Sequence, residues 1–192
     1  LTMDEMVEKF SFDRVSKTGG IFDKDKLDWV NGHYIRSSSI ERITDLAIPY
    51  LIEAGYIDEK FAVENREWVE ILVDTVKESI SYMSEMPEKV KFVFDDEIEI
   101  EEEAQELLQG EQVPQLFNGI IDELNTIEEI DMEYSKTFMK TIQKATGIKG
   151  KNLYMPTRAV ITGNVHGPEM VNIIYLLGKD KIIKRVEKLL NK

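Results

Sequence analysis

Lys136, Lys140 and Lys144 recur at i, i+4 and i+8, a spacing that on a helix lines up three ammonium groups opposite Phe138, Ile142 and Ala145. Lys149 and Lys151 flank Gly150 in what reads as an exposed turn, and Lys181, Lys184, Arg185 and Lys188 mark the polar side of a final helix. Like charges along two helices and the loop between them suit contacts that follow a polyanionic backbone. Arg158 stands apart as the one charge in the run from Leu153 to Gly163, beside a turn expected at Pro156. A guanidinium so placed can read a base edge with its planar fork, stack on a base, or be held in a buried ion pair.

Other side chains offer less chemistry. His33 sits among Asn31, Tyr34 and Arg36 on a polar helix edge, which reads as a surface or capping position. His166 precedes Gly167-Pro168 and faces a helix start, where it either touches an anion or closes the turn. Neither His has a paired Ser or carboxylate motif, and there is no Gly-rich phosphate loop. Asp95 to Glu106 carries eight acids and no base, a solvated helical face or mobile arm whose spacing fits no Ca²⁺ loop. No catalytic residue and no metal site are therefore assigned.

The 192 residues, 42% hydrophobic and 32% charged, suffice for one large or two small domains. No apolar run approaches the roughly 20 residues of a membrane span, and the opening does not read as a secretory leader. With no Cys, disulfide frameworks, Cys nucleophiles and zinc knuckles are excluded, and a reducing, cytoplasmic location is expected. A first residue that is Leu is expected of a piece of something longer. Net charge is −13, but residues 1–135 hold 34 acids against 12 bases, whereas residues 136–192 hold 3 against 12. The basic block suits an anion partner, most simply nucleic acid. Alternatively, its helices dock against the acidic part of the same molecule.

Helical periodicity must position these groups. Asp23 and Ser39 read as N-caps, the second opening a stripe of Ile43, Ala47 and Leu51 that stops at Gly55. Val69 to Ile80, before Pro87, and Leu116 to Leu124 give further stripes. Asp131 caps a helix closed by Gly147. Pro168 is expected at the first position of a helix ending at Gly178, and a last helix buries Ile182 to Leu190. Only Val90 to Ile100 alternates like a strand or an extended connection. The seam is expected around Leu107 to Gln112.

Three blocks near the C-terminus carry a resemblance: Gly147-Ile148-Lys149-Gly150-Lys151-Asn152-Leu153-Tyr154-Met155-Pro156-Thr157-Arg158 with Thr162-Gly163, then His166-Gly167-Pro168-Glu169-Met170, then Leu176-Leu177-Gly178-Lys179. Together they resemble the anticodon-binding region of bacterial glutamyl-tRNA synthetases. Phe10 to Lys17 and Phe22 to Ile35 resemble the segment of that family just downstream of its Lys-Met-Ser-Lys-Ser loop. Arg14-Val15-Ser16-Lys17-Thr18 is itself only a poor match to that loop, which fits a segment lying after it. The likeness is thin between about residues 60 and 130.

The resemblance implies an all-α fold of the class I synthetase anticodon-binding type: residues 1–38 as the end of a stem-contact region, then helical subdomains at 39–110 and 111–192. It implies a parent that attaches glutamate to its tRNA with ATP and Mg²⁺ through a catalytic domain elsewhere in the polypeptide. This chain would be inactive alone, hold no cofactor, and meet the anticodon arm of glutamate tRNA, with no membrane or DNA partner. Anticodon contacts are implied around Arg158 and the Pro168-to-Met170 turn, with Met170 apolar enough to stack on a base. The expected RNA-binding set is Arg158, Lys149, Lys151, Asn152, His166, Pro168, Met170, Lys140, Lys144 and Lys184. The readings from other classes are a helical protein-interaction adaptor with acidic and basic ends, and a metal-dependent enzyme using the acidic segment.

Overall fold

A computed structural model describes residues 2–15 and 19–191, so Ser16, Lys17 and Thr18 of the basic string lie outside the described residues. Eleven α-helices follow one another there: α1 (Met3–Lys9), α2 (Lys24–Ser37), α3 (Ile40–Glu53), α4 (Glu59–Glu64), α5 (Arg66–Val76), α6 (Met86–Phe94), α7 (Glu102–Leu107), α8 (Val113–Leu124), α9 (Met132–Thr146), α10 (Lys151–Thr162) and α11 (Met170–Leu190). The expected caps hold. Asp23 accepts the Lys26 N–H at 3.0 Å and Asp131 the Tyr134 N–H at 2.6 Å. Gly147 closes α9 at φ 73°, and Gly178 breaks α11 at φ 67°, ψ 175°, a conformation that needs glycine.

Two cores carry the fold. Ile43, Ala47, Leu51, Val69, Leu72, Val73 and Val90 bury one between α3, α5 and α6. Leu116, Phe117, Ile120, Phe138, Ile142, Leu153, Ile174 and Ile182 bury the other between α8, α9, α10 and α11. They share walls: Leu176 of α11 joins the first core, and Phe92 of α6 packs against both. By contrast α1 buries nothing, and Phe12, Ile21 and Trp29 are largely exposed.

Several expectations change. The residues that alternate at 90, 92 and 94 lie on α6, where Val90 and Val93 face the core; Pro87 starts this helix because its missing N–H costs nothing in a first turn. Residues 95–101 lie outside any helix, bent at Asp96 and Glu97, as a strap tied to α11 and to the end of α10. The acidic segment is thus no free arm: Ile100, Ala104 and Leu107 pack with Ala159 and Val165, while Glu102, Glu103 and Glu106 form the expected solvated face of α7. Leu153 to Thr162, read as a turn-containing run, is the helix α10, with Pro156 buried inside it. Pro168 precedes α11 instead of opening it; Glu169 is the N-cap, because the Pro168 carbonyl is turned toward Arg158. Ala145 is exposed.

The strap is clamped to the end of α10, where the Glu101 N–H donates to the Gly163 carbonyl at 2.9 Å. Gly163 has φ 79°, and a Cβ there would collide with the Glu99 carbonyl. Gly163→Ala is therefore expected to lower stability by more than about 2 kcal/mol, backbone strain and the clash adding together. A denaturation midpoint equal to wild type would mean that the strap lifts away freely.

Candidate nucleic-acid interface

The α9 stripe forms as expected: Lys136, Lys140 and Lys144 are all exposed. Lys136 is held by Glu133 at 2.5 Å, whereas Lys140 and Lys144 have no ion pair among the described residues. Lys149, Lys151 and Asn152 are exposed at the turn into α10. Gly150 is the N-cap there and has no side chain to satisfy the first amides of α10, so this helix start is electropositive as well as flanked by lysines.

The basic side of α11 is used differently. Lys184 pairs with Asp96 and Lys188 with Glu97, each at 2.6 Å. The ammonium groups hold both carboxyls below their usual range, the side-chain hydrogen bond being the larger cause. Lys181 donates to the Val93 and Phe94 carbonyls, and Arg185 is buried. Lys184, expected in the RNA-binding set, is therefore occupied by the acidic strap. Docking of basic helix on acidic segment is true of α11 and not of α9.

Arg158 is half-buried, and burial pushes its guanidinium below the ordinary value. One nitrogen, Nη1, donates to the Pro168 carbonyl at 2.8 Å, which ties the middle of α10 to the turn before α11. No carboxylate pairs with it among the described residues, so the buried-ion-pair alternative does not hold. His166 is exposed on that turn and Pro168 is partly buried. Met170 is buried in the second core with Ile173, Ile174 and Leu177, the apolar face of the helix it begins. It has no face left for a base, which corrects the stacking expected of it.

His166, Gly167 and Pro168 form one wall of a groove of about 930 Å³. Its other wall comes from the first core: Thr75 on α5, Ser79 just beyond it, and Lys89 and Lys91 on α6; the acidic strap contributes Glu97, Glu99 and Glu101. With Glu78, Glu88 and Asp95 the lining is predominantly acidic, six carboxylates against Lys89 and Lys91, so it suits the exocyclic amino groups of a base and not phosphates. Thr75, Ser79, Lys89 and Lys91 carry no local signal in the sequence; the packing of α5 and α6 against α11 brings them to the turn. Tyr154 is a different omission. It is 44% exposed and lies three residues after Lys151 and four before Arg158 on α10, an aromatic face between two cations. Reading its segment as helix would have found it. His33 is exposed with its ring stacked on Trp29, and among the described residues no three His, Asp or Glu side chains converge as a metal cage.

Comparison with known proteins gives the following. A sequence profile for the anticodon binding domain matches residues 42–190. The glutamate–tRNA ligase of Finegoldia magna is 43% identical over all 192 residues, and glutamate–tRNA ligase 1 of Caldicellulosiruptor saccharolyticus is 43% identical over 186. The chain spans 38% of the length of each of these relatives. The crystal structure of a glutamate tRNA ligase from Elizabethkingia meningosepticum, in complex with its amino acid, superposes with a TM-score of 0.82 at 22% identity, covering 100% of this chain and 37% of that one. That likeness concerns the fold, which agrees with the all-helical architecture.

Proposed function

The chain belongs to the anticodon-binding domain family, and from that premise we propose that it recognises the anticodon arm of a glutamate tRNA through the groove beside Arg158, as part of a glutamate–tRNA ligase. The observation that carries this reading is the state of Arg158: one nitrogen is fixed on the Pro168 carbonyl at the groove turn, and the rest of its planar fork is free for a base. Lys140, Lys144, Lys149 and Lys151 supply unpaired charge for the phosphates, Asn152 a polar contact at the start of α10, His166 one at the groove turn beyond its end, and Tyr154 a stacking face.

In this reading residues 1–38 are the end of a stem-contact region, and 39–110 and 111–192 are the two anticodon-binding subdomains, α7 being the piece of the former that leans on α10. ATP and Mg²⁺ serve a catalytic domain of the same ligase, not these residues. The site of action is the cytoplasm; no described helix is long and apolar enough to cross a membrane.

The test is titration with an anticodon stem-loop of glutamate tRNA and with the same stem-loop carrying exchanged anticodon bases, at several salt concentrations. The first should bind more tightly, and log Kd should vary linearly with log salt. Tyr154→Ala is expected to weaken binding by about 1–3 kcal/mol, the usual worth of a base–aromatic stack, without lowering the melting temperature. Equal affinity for both RNAs would remove the anticodon reading, and RNA binding absent at low salt would favour the protein-adaptor reading.

A further inference from the structure

Arg185 is the most buried cation of the described fold, 5% exposed, and no carboxylate forms an ion pair with it. Its two terminal nitrogens donate instead to main-chain carbonyls at two helix ends, while the buried Nε has no partner among the described residues. Nη1 donates to Ile161 in the last turn of α10, while Nη2 donates to Phe92 at 2.5 Å and to Asp95 at 2.7 Å around the end of α6. Lys181, one turn earlier on α11, adds bonds to Val93 at 2.5 Å and Phe94 at 2.7 Å. The last carbonyls of a helix lack intrahelical donors and carry the negative end of its dipole, so two such ends converging on one cation compensate it without a direct ion pair, the Asp95 and Asp96 carboxylates adding to this from further away. Burial pushes the guanidinium down to about 10, which leaves it charged at neutral pH.

The two ends that Arg185 joins are those from which the groove walls extend. Helix α6 carries Lys89 and Lys91, and α10 runs through Gly163 into the turn at His166 to Pro168. We infer that Arg185, with Lys181, is a positioning residue for anticodon discrimination: it fixes the distance between the two walls of the groove, although it touches no RNA itself. The inference rests on the proposed function for its RNA half alone. A planar five-donor fork can hold both helix ends at once, whereas a Lys ammonium, a single point on a flexible stem, holds one of them.

The chain has no cysteine, so Glu88→Cys on the α6 wall and Glu169→Cys beside the turn give a clean pair of spin-label sites, both exposed. Arg185→Lys and Lys181→Met are compared with the parent by interlabel distance in that background, and, in the unlabelled chain that keeps Glu88 and Glu169, by helical signal and the ratio of Kd values for the exchanged and glutamate anticodon stem-loops. The expected result is a broadened or shifted distance with retained helix content in both variants, and a fall of about tenfold in the Kd ratio for Arg185→Lys, since a displacement of about 1 Å is enough to lose such discrimination. Should Arg185→Lys fail to fold, Lys181→Met, which removes only bonds to α6, still decides the distance. An unchanged distance, with lowered melting temperature alone, overturns the inference by making both residues ordinary core supports. A changed distance with an unchanged Kd ratio overturns it as well. If the parent itself does not tell the two RNAs apart, the proposed function fails, and the distance measurement alone then upholds or overturns the brace.

Discussion

Arg158→Lys is expected to weaken binding of the glutamate anticodon stem-loop by about 1–3 kcal/mol and to cost much less with exchanged anticodon bases. The geometry supplies the reason. In the free protein Nη1 is engaged with the Pro168 carbonyl, so the guanidinium plane is already oriented when a base arrives. A lysine has one ammonium to divide between that carbonyl and the base, and it cannot present two parallel donors to either. The lost bond to Pro168 should lower stability by only about 0.5–1.5 kcal/mol, so the fold survives and the RNA effect is measurable in a native protein. Equal weakening toward both RNAs would make Arg158 a backbone contact. Unfolding at ambient temperature would mean instead that its main work is to hold the turn.

Reversing Lys140 and Lys144 together to Glu should flatten the salt dependence of RNA binding, lowering the log–log slope by roughly 1.4–1.8 if each lysine meets one phosphate. Reversing Lys184 and Lys188 should leave that slope nearly unchanged and lower the melting temperature instead. The difference lies in present occupancy: Lys184 and Lys188 are paired with Asp96 and Glu97, while Lys140 and Lys144 have no partner among the described residues. A glutamate on α11 would face the strap with like charge and loosen it from α10 and α11. If instead the α11 pair changed the slope as much as the α9 pair, RNA must displace the strap, and the acidic segment would be a competitor for the same lysines.

The strap also joins the oppositely charged parts of the chain through two ion pairs. Its carboxylates neutralise the basic helix that lies under it, and the free lysines of residues 136–191 are gathered on α9 and at the start of α10. The net charge of −13 is therefore a poor guide to which surface meets an anion.

The sequence by itself determined what depends on near neighbours. Caps at Asp23, Ser39 and Asp131, the left-handed stops at Gly55 and Gly147, and the lysine face of α9 follow from bonds within a few residues and from the 3.6-residue period, so spacing alone exposes them. The blocks from Gly147 to Arg158 and from His166 to Met170 also sufficed to indicate the family. Local pattern failed where a partner distant in sequence sets the outcome. Alternation at residues 90–94 looks the same on a strand and on a helix buried on one side, and only the core between α3, α5 and α6 chooses helix there. Pro156 reads as a turn until its neighbours bury it within α10. Met170 reads as an available apolar side chain, and Lys184 as a free cation, until the second core and the strap claim them. The groove was beyond any local reading, because its walls lie some 75 to 90 positions apart and meet only where α11 spans both cores, its Arg185 drawing the ends of α6 and α10 together through carbonyls that no side-chain pattern announces.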